Sequence, residues 1–133
     1  MTDNFQHSDI TSLIIKSFFT VYNKLGYGFL EKVYHNALLI ELRKYGLNCN
    51  SQLPITVFYD DKEVGFYIAD IVVNDCVIIE IKAAEGICEE HEAQLTNYLR
   101  ATEIEVGILL NFGKTPGFKR KVFSSEFKNL KQS

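Results

Sequence analysis

The segment Val77-Ile78-Ile79-Glu80-Ile81-Lys82-Ala83 sets two charges in an otherwise apolar run. In an extended strand, residues two apart share a face, so Glu80 and Lys82 point the same way. Burying an unpaired charge is costly. Such a strand therefore holds an internal Glu–Lys ion pair, has one wet face, or carries a site. Tyr67-Ile68-Ala69-Asp70-Ile71-Val72-Val73 places a lone carboxylate in an equally apolar run just before it. Two adjacent carboxylates that cannot both ionise cheaply are a trap for a hard divalent cation. Asp70 and Glu80 would supply anionic oxygens and the Ile81 carbonyl a neutral one. Lys82 would hold a phosphate oxygen or the attacking water. That set suits phosphodiester hydrolysis, in which the metal activates water and offsets charge in the transition state.

The turn between the two strands decides whether the carboxylates meet. With Asn74-Asp75 as a two-residue loop, Val73 pairs with Cys76, Asp70 lies opposite Ile79, and Glu80 faces the other side. With Asn74, Asp75 and Cys76 as the loop, Val73 pairs with Val77 and Asp70 lies opposite Glu80. A one-residue slip turns every side chain over, so only the odd loop makes a joint site. The odd loop is the expectation here.

The elements that must position these residues follow from periodicity. Apolar residues Ile10, Ile14, Phe18, Val21, Tyr22 and Leu25 recur at helical spacing over residues 8–25, with Ser8 or Asp9 as the expected cap. Gly26-Tyr27-Gly28 breaks this helix. A second helix is expected over about 29–45, ended by Gly46 in the left-handed conformation. The period then changes to two, predicting strands over about 52–59, 63–73 and 77–84, with a turn at 60–62. A helix over about 88–101 and strands at 106–110 and 118–123 complete the chain. The order predicts an α/β (α+β) fold, a mixed sheet flanked by helices, in a single domain over 1–133 with its core at about 8–124. On the third helix Gln94 and Tyr98 are four apart and share a face, with His91 three before Gln94. The plainer reading is a half-buried Tyr beside a surface Gln. Glu31 and Tyr34 are three apart on the second helix, where Glu31 could simply offset the helix dipole.

Composition narrows the classes. Of 133 residues, 47% are hydrophobic and 23% charged, with two prolines, which is a globular profile. Cys49, Cys76 and Cys88 show neither disulfide nor zinc-ligand spacing. No run is apolar enough to span a membrane and the first nine residues are polar, so a cytoplasmic protein is expected. The net charge of −3 argues mildly against a broad nucleic-acid grip. Against that, Lys114, Lys119, Arg120, Lys121, Lys128 and Lys131 face a single acid, Glu126, a local balance of 6 − 1 = +5. Lys119, Arg120 and Lys121 are the expected substrate contacts, and a solvated strand and tail is the alternative.

Gly28-Phe29-Leu30-Glu31-Lys32-Val33-Tyr34 resembles the signature of the GxxExxY protein family. Asp70, Glu80-Ile81-Lys82 and Gln94 to Tyr98 fall in the order and spacing of the PD-(D/E)xK nuclease superfamily, to which that family is assigned. The stretch from Val106 to Gly113 adds to the likeness. The sequence departs at Tyr27, where members often carry Pro, at Ile68, often Arg, and at Ala69, where the superfamily has Pro. The resemblance implies a restriction-endonuclease-like αβββαβ core with an additional N-terminal helix, and dependence on Mg2+ or Mn2+. It makes Asp70, Glu80 and Glu31 metal ligands and Lys82 the catalytic lysine. Gln94 and Tyr98 would orient the lysine or touch substrate. The expected activity is nuclease action on nucleic acid, DNA foremost, in repair or defence, with a homodimer as a plausible assembly. The competing readings are a nucleic-acid-binding module without catalysis and a protein-interaction or dimerisation domain in which the same residues form a buried ion network.

Overall fold

The computed structural model describes residues 7–128, so Lys131 of the basic run lies outside the described residues. The elements are α1 (Ser8–Leu25), α2 (Glu31–Lys44), β1 (Cys49–Tyr59), β2 (Lys62–Val73), β3 (Val77–Lys82), α3 (Glu89–Arg100), β4 (Val106–Asn111) and β5 (Gly117–Val122), then a single 3-10 turn, Ser125–Phe127. The five strands form one sheet in the order β1-β2-β3-β4-β5. Only β3 and β4 run parallel, and α3 is the crossover that joins them. The mixed sheet with flanking helices is the architecture expected from the sequence.

Two differences appear at helix ends. His7, in the left-handed conformation, caps α1 without a side-chain bond, so neither Ser8 nor Asp9 is the cap. Helix α2 begins at Glu31 rather than near Phe29, because the turn Gly26–Phe29 is tied down by a residue inside the helix. The hydroxyl of Tyr34 donates to the Gly26 carbonyl (2.6 Å) and accepts the Phe29 N–H (3.2 Å). Its ring is fully buried and stacks on Phe112 at 4.6 Å. Gly28 has φ +110°, which a side chain rarely adopts. The turn thus delivers Glu31 as the first helical residue.

One core packs α1 and α2 against the sheet and the other packs α3 on the opposite face. Along β3 the alternation is regular: Val77, Ile79 and Ile81 join the α1/α2 core, and Ile78 joins the α3 core. Strand β2 breaks this rule. Ile71 and Val73 face α1/α2, yet Ala69 packs in the α3 core. Strand β1 changes face at the same level, with Cys49 in the first core and Ile55 in the second. Gln52, with φ +58°, marks the change on β1, and the position facing it on β2 is Asp70.

The far end of β3 is held by Asn111 and Gly113. Buried Asn111 accepts the N–H groups of Ala84 (2.9 Å) and Gly113 (3.3 Å) and donates to the carbonyls of Ala84 (3.0 Å) and Thr115 (3.2 Å). A side chain at Gly113 would sit 1.5 Å from the Ala84 carbonyl oxygen, so only glycine permits this approach. Asn111→Ala removes all four bonds and leaves buried backbone groups without partners. It should cost about 2–4 kcal/mol in urea denaturation; a loss below measurement error would show that the clamp does not hold the strand.

Candidate active site

The β2–β3 hairpin has the odd register: Val73 pairs with Val77, Val72 with Ile78 and Ile71 with Ile79. Asn74 and Asp75 both take left-handed φ, and Cys76 N–H closes the turn on the Val73 carbonyl at 3.0 Å. This is the two-residue turn chemistry that Asn-Asp favours, with Cys76 added as the extra residue that sets the register.

The ladder stops one pair short of Asp70 and Glu80. Side-chain bonds join the two strands there instead. Glu80 Oε2 accepts the Asp70 N–H at 3.0 Å, and Asp70 Oδ2 accepts the Ile81 N–H at 2.7 Å. Glu31 Oε2 reaches across from α2 to the Ala83 N–H at 3.2 Å. Three acids from α2, β2 and β3 thus close on the end of one strand, each using an oxygen on a backbone donor.

Electrostatically the pair is strained. Burial pushes the Glu80 carboxyl up to about 8, the Asp70 charge pushes the same way, and the Asp70 N–H and Lys82 resist. Burial also raises Asp70, with the Ile81 N–H, His35 and Lys82 opposing it and Glu31 adding to the rise. Glu80 is only 4% exposed, so these carboxylates compete for one compensating positive charge.

Asp70 and Ile81 line a cleft of about 420 Å³ between α2 and β1, with Glu31, Lys32, His35 and Asn36 on the helix bank and Ser51 and Gln52 on the strand bank. Glu80 is not a wall of this cleft; it lies behind Asp70, held on the Asp70 backbone. Lys82 is half-buried beside both acids, and among the described residues it makes no ion pair within 4.0 Å. The internal Glu80–Lys82 pair considered from the sequence is therefore not what satisfies Glu80.

Tyr98, on α3, is buried and tilts its ring on Tyr67 at 5.6 Å. Its hydroxyl is pushed up to about 12 by burial and by the charges of Glu80, Asp70 and Tyr67, with Gln94, one turn earlier, acting against the shift. The structure thus brings the Gln94–Tyr98 face beneath the acids. His91 is on the same helix, its Nδ1 buried without a partner among the described residues. The basic run is placed elsewhere. Lys119 pairs with Leu109 and Leu109 with Glu80, which sets Lys119 two strands, roughly 10 Å, from the acid. Lys121 is bonded to Glu92 at 2.6 Å, and Lys128 donates to the Thr102 and Ile104 carbonyls.

Of the cleft residues not singled out from sequence, His35 and Ser51 are bonded to each other. His35 is buried, donates or accepts at 2.7 Å with Ser51 Oγ, and is held below its ordinary pKa by burial, with Asp70 opposing. Its spacing of four from Glu31 was the available signal, since it puts both on one helix face. Ser51 had none, because its place depends on the left-handed Gln52 beside it.

The donor set is all oxygen around the acids, which is the chemistry of Mg2+ and Mn2+ rather than of a soft ion. Among the described residues no three His, Cys, Asp or Glu side chains already converge as an ion cage. Each acid has instead one oxygen engaged on a backbone N–H.

The sequence profile of the PD-(D/E)XK nuclease superfamily matches residues 8–121. The chain belongs to that superfamily, whose nucleases generally use divalent metal ions. Among solved structures, the fold is similar to the crystal structure of SSO0001, with a TM-score of 0.56 and 19% identity over 91% of this chain. This chain spans 61% of that one. No curated protein matches the chain. No helix among the described residues is long and apolar enough to cross a membrane.

The raised Glu80 pKa has a sign that can be tested. A carboxyl held above its unfolded 4.5 favours the fold when protonated, so that stability is full below 4.5 and lost as pH rises to about 8. In EDTA, urea stability should therefore fall across this window by on the order of a few kcal/mol. Glu80→Gln, which keeps an oxygen for the Asp70 N–H, should flatten the profile. A wild-type profile that is flat or rising there would contradict the buried pair.

Proposed function

We propose that this protein is a divalent-metal-dependent nuclease that hydrolyses phosphodiester bonds in nucleic acid, with DNA as the leading substrate. The observation that carries the reading is the meeting of Asp70 and Glu80 where the β2–β3 ladder ends, with Glu31 on the adjoining backbone. A stability-driven fold gains little from crowding buried acids whose charge only a proton or a cation can relieve. The matching superfamily gives that arrangement a chemical purpose.

In this reading Asp70, Glu80, Glu31 and the Ile81 carbonyl hold Mg2+ or Mn2+. When bound, the ion supplies Lewis acidity toward the phosphate and lowers the pKa of a water ligand. Lys82, unpaired beside the acids, orients the attacking water or holds a non-bridging phosphate oxygen. Tyr98 stays protonated at neutral pH and, with Gln94, donates toward the lysine or substrate from beneath. Lys119 is exposed on the sheet row of Glu80 and takes a phosphate farther along the strand; Arg120 and Lys121 serve that same edge. The likeness of Gly28, Glu31 and Tyr34 to the GxxExxY signature supports placing the chain in that branch of the superfamily. Three unpaired cysteines suit a reducing compartment such as the cytoplasm.

The direct test is cleavage of labelled DNA and RNA, single- and double-stranded, with Mg2+ or Mn2+ and with EDTA. Turnover should require the metal. Lys82→Ala should lower it by about 10²–10⁴-fold without loss of folded structure. Metal-independent turnover, or full activity in Lys82→Ala, would overturn the assignment.

A further inference from the structure

Strands β1 and β2 pair along nearly their whole length, but β3 joins β2 only at residues 71–73. The rest of the hairpin projects as an arm. Over residues 62–70 the second edge of β2 has no strand partner among the described residues. One face of the arm is covered, since Ile55 and Ala69 enter the α3 core and Tyr67 packs on Tyr98. The other face is bare. Val64, Phe66 and Ile68 alternate along β2 and are 61%, 66% and 38% exposed. Pro54 and Thr56 stand across from Ile68 and Phe66.

We propose that this arm is the contact of a symmetric dimer, in which a second copy of the chain covers the Val64–Phe66–Ile68 strip and the free β2 edge. Taking about 200 Å² for a fully open aromatic side chain, the exposed parts of Phe58, Val64, Phe66 and Ile68 come to about 350 Å². Side chains thus supply a little under half of the roughly 800 Å² per partner of a standard interface, and the free β2 edge adds main-chain hydrogen bonds. Charge favours the same occupant. Residues 64–69 hold no acid or base, and the hairpin's charges gather at its tip, Asp60 to Glu63. Two copies, each at −3, meet there without like charges facing across the strip. A nucleic-acid backbone would find no Lys or Arg along it. A strand edge is satisfied by another strand edge, and a two-fold axis makes one apolar strip its own complement. The strip begins two residues from Asp70, so the dimer carries its two clefts near the axis. None of this depends on catalysis.

Sedimentation velocity on the full chain over a concentration series tests the proposal. The wild type should reach twice its 15.2 kDa monomer mass. Phe66→Glu and, separately, Val64→Glu should sediment as monomers with unchanged far-UV circular dichroism. Ile40→Glu, on an exposed apolar position of α2 outside the arm, should remain dimeric. A wild type that is monomeric at every concentration, or folded strip variants that stay dimeric, would overturn it.

Discussion

Asp70 and Glu80 stand where the β2–β3 ladder should continue, and each carboxylate instead accepts a backbone N–H of the opposite strand. This substitution ties strand geometry to charge. The side chains that end the pairing become fixed by it, each on the backbone of the opposite strand. Because both are buried or half-buried, their negative charge is opposed by little except two N–H dipoles, Lys82 and His35. The rest of the architecture works to keep those acids in place.

Each neighbouring element contributes one restraint. The Tyr34 hydroxyl pins the turn before α2, so Glu31 arrives beside Ala83. Asn111 and Gly113 lock the segment after β3, on which that Ala83 N–H depends. From the other face α3 inserts Tyr98 under the acids, which raises the cost of ionising its phenol. The face change at Gln52 and Asp70 lets one strand serve two cores while its acid opens onto the cleft. Regular alternation would have left Asp70 on the face of Val72, away from Glu31 and His35.

Much of this was legible in the sequence because it rests on period and on the cost of burying charge. Glu80 and Lys82 in an apolar strand and the lone Asp70 marked the two strands, and the odd Asn74-Asp75-Cys76 loop, expected because only it makes a joint site, gives the observed Val73–Val77 register. The spacing of Glu31 and Tyr34 was visible too, although the role of Tyr34 as a tie for the preceding turn was not. What could not be read depends on backbone irregularity or on contacts distant in sequence. The left-handed Gln52, the change of face at Asp70 and the Ser51–His35 bond belong to the first kind. The Asn111 clamp on Ala84, twenty-seven residues away, belongs to the second. The surroundings of the basic run were hidden for a related reason, since local charge says nothing of partners: Lys121 pairs with Glu92 and Lys128 donates to backbone carbonyls, whereas Lys119 is exposed.

The central claim is that the crowded acids form a cation site, and calorimetric titration with Mn2+ tests it most directly. Wild-type protein should bind the ion and release a proton near neutral pH, seen as a heat that varies with the ionisation enthalpy of the buffer. The folded double variant Asp70→Ala, Glu80→Ala should give no binding heat. A wild type that does not bind, or a double variant that binds equally well, would contradict the account.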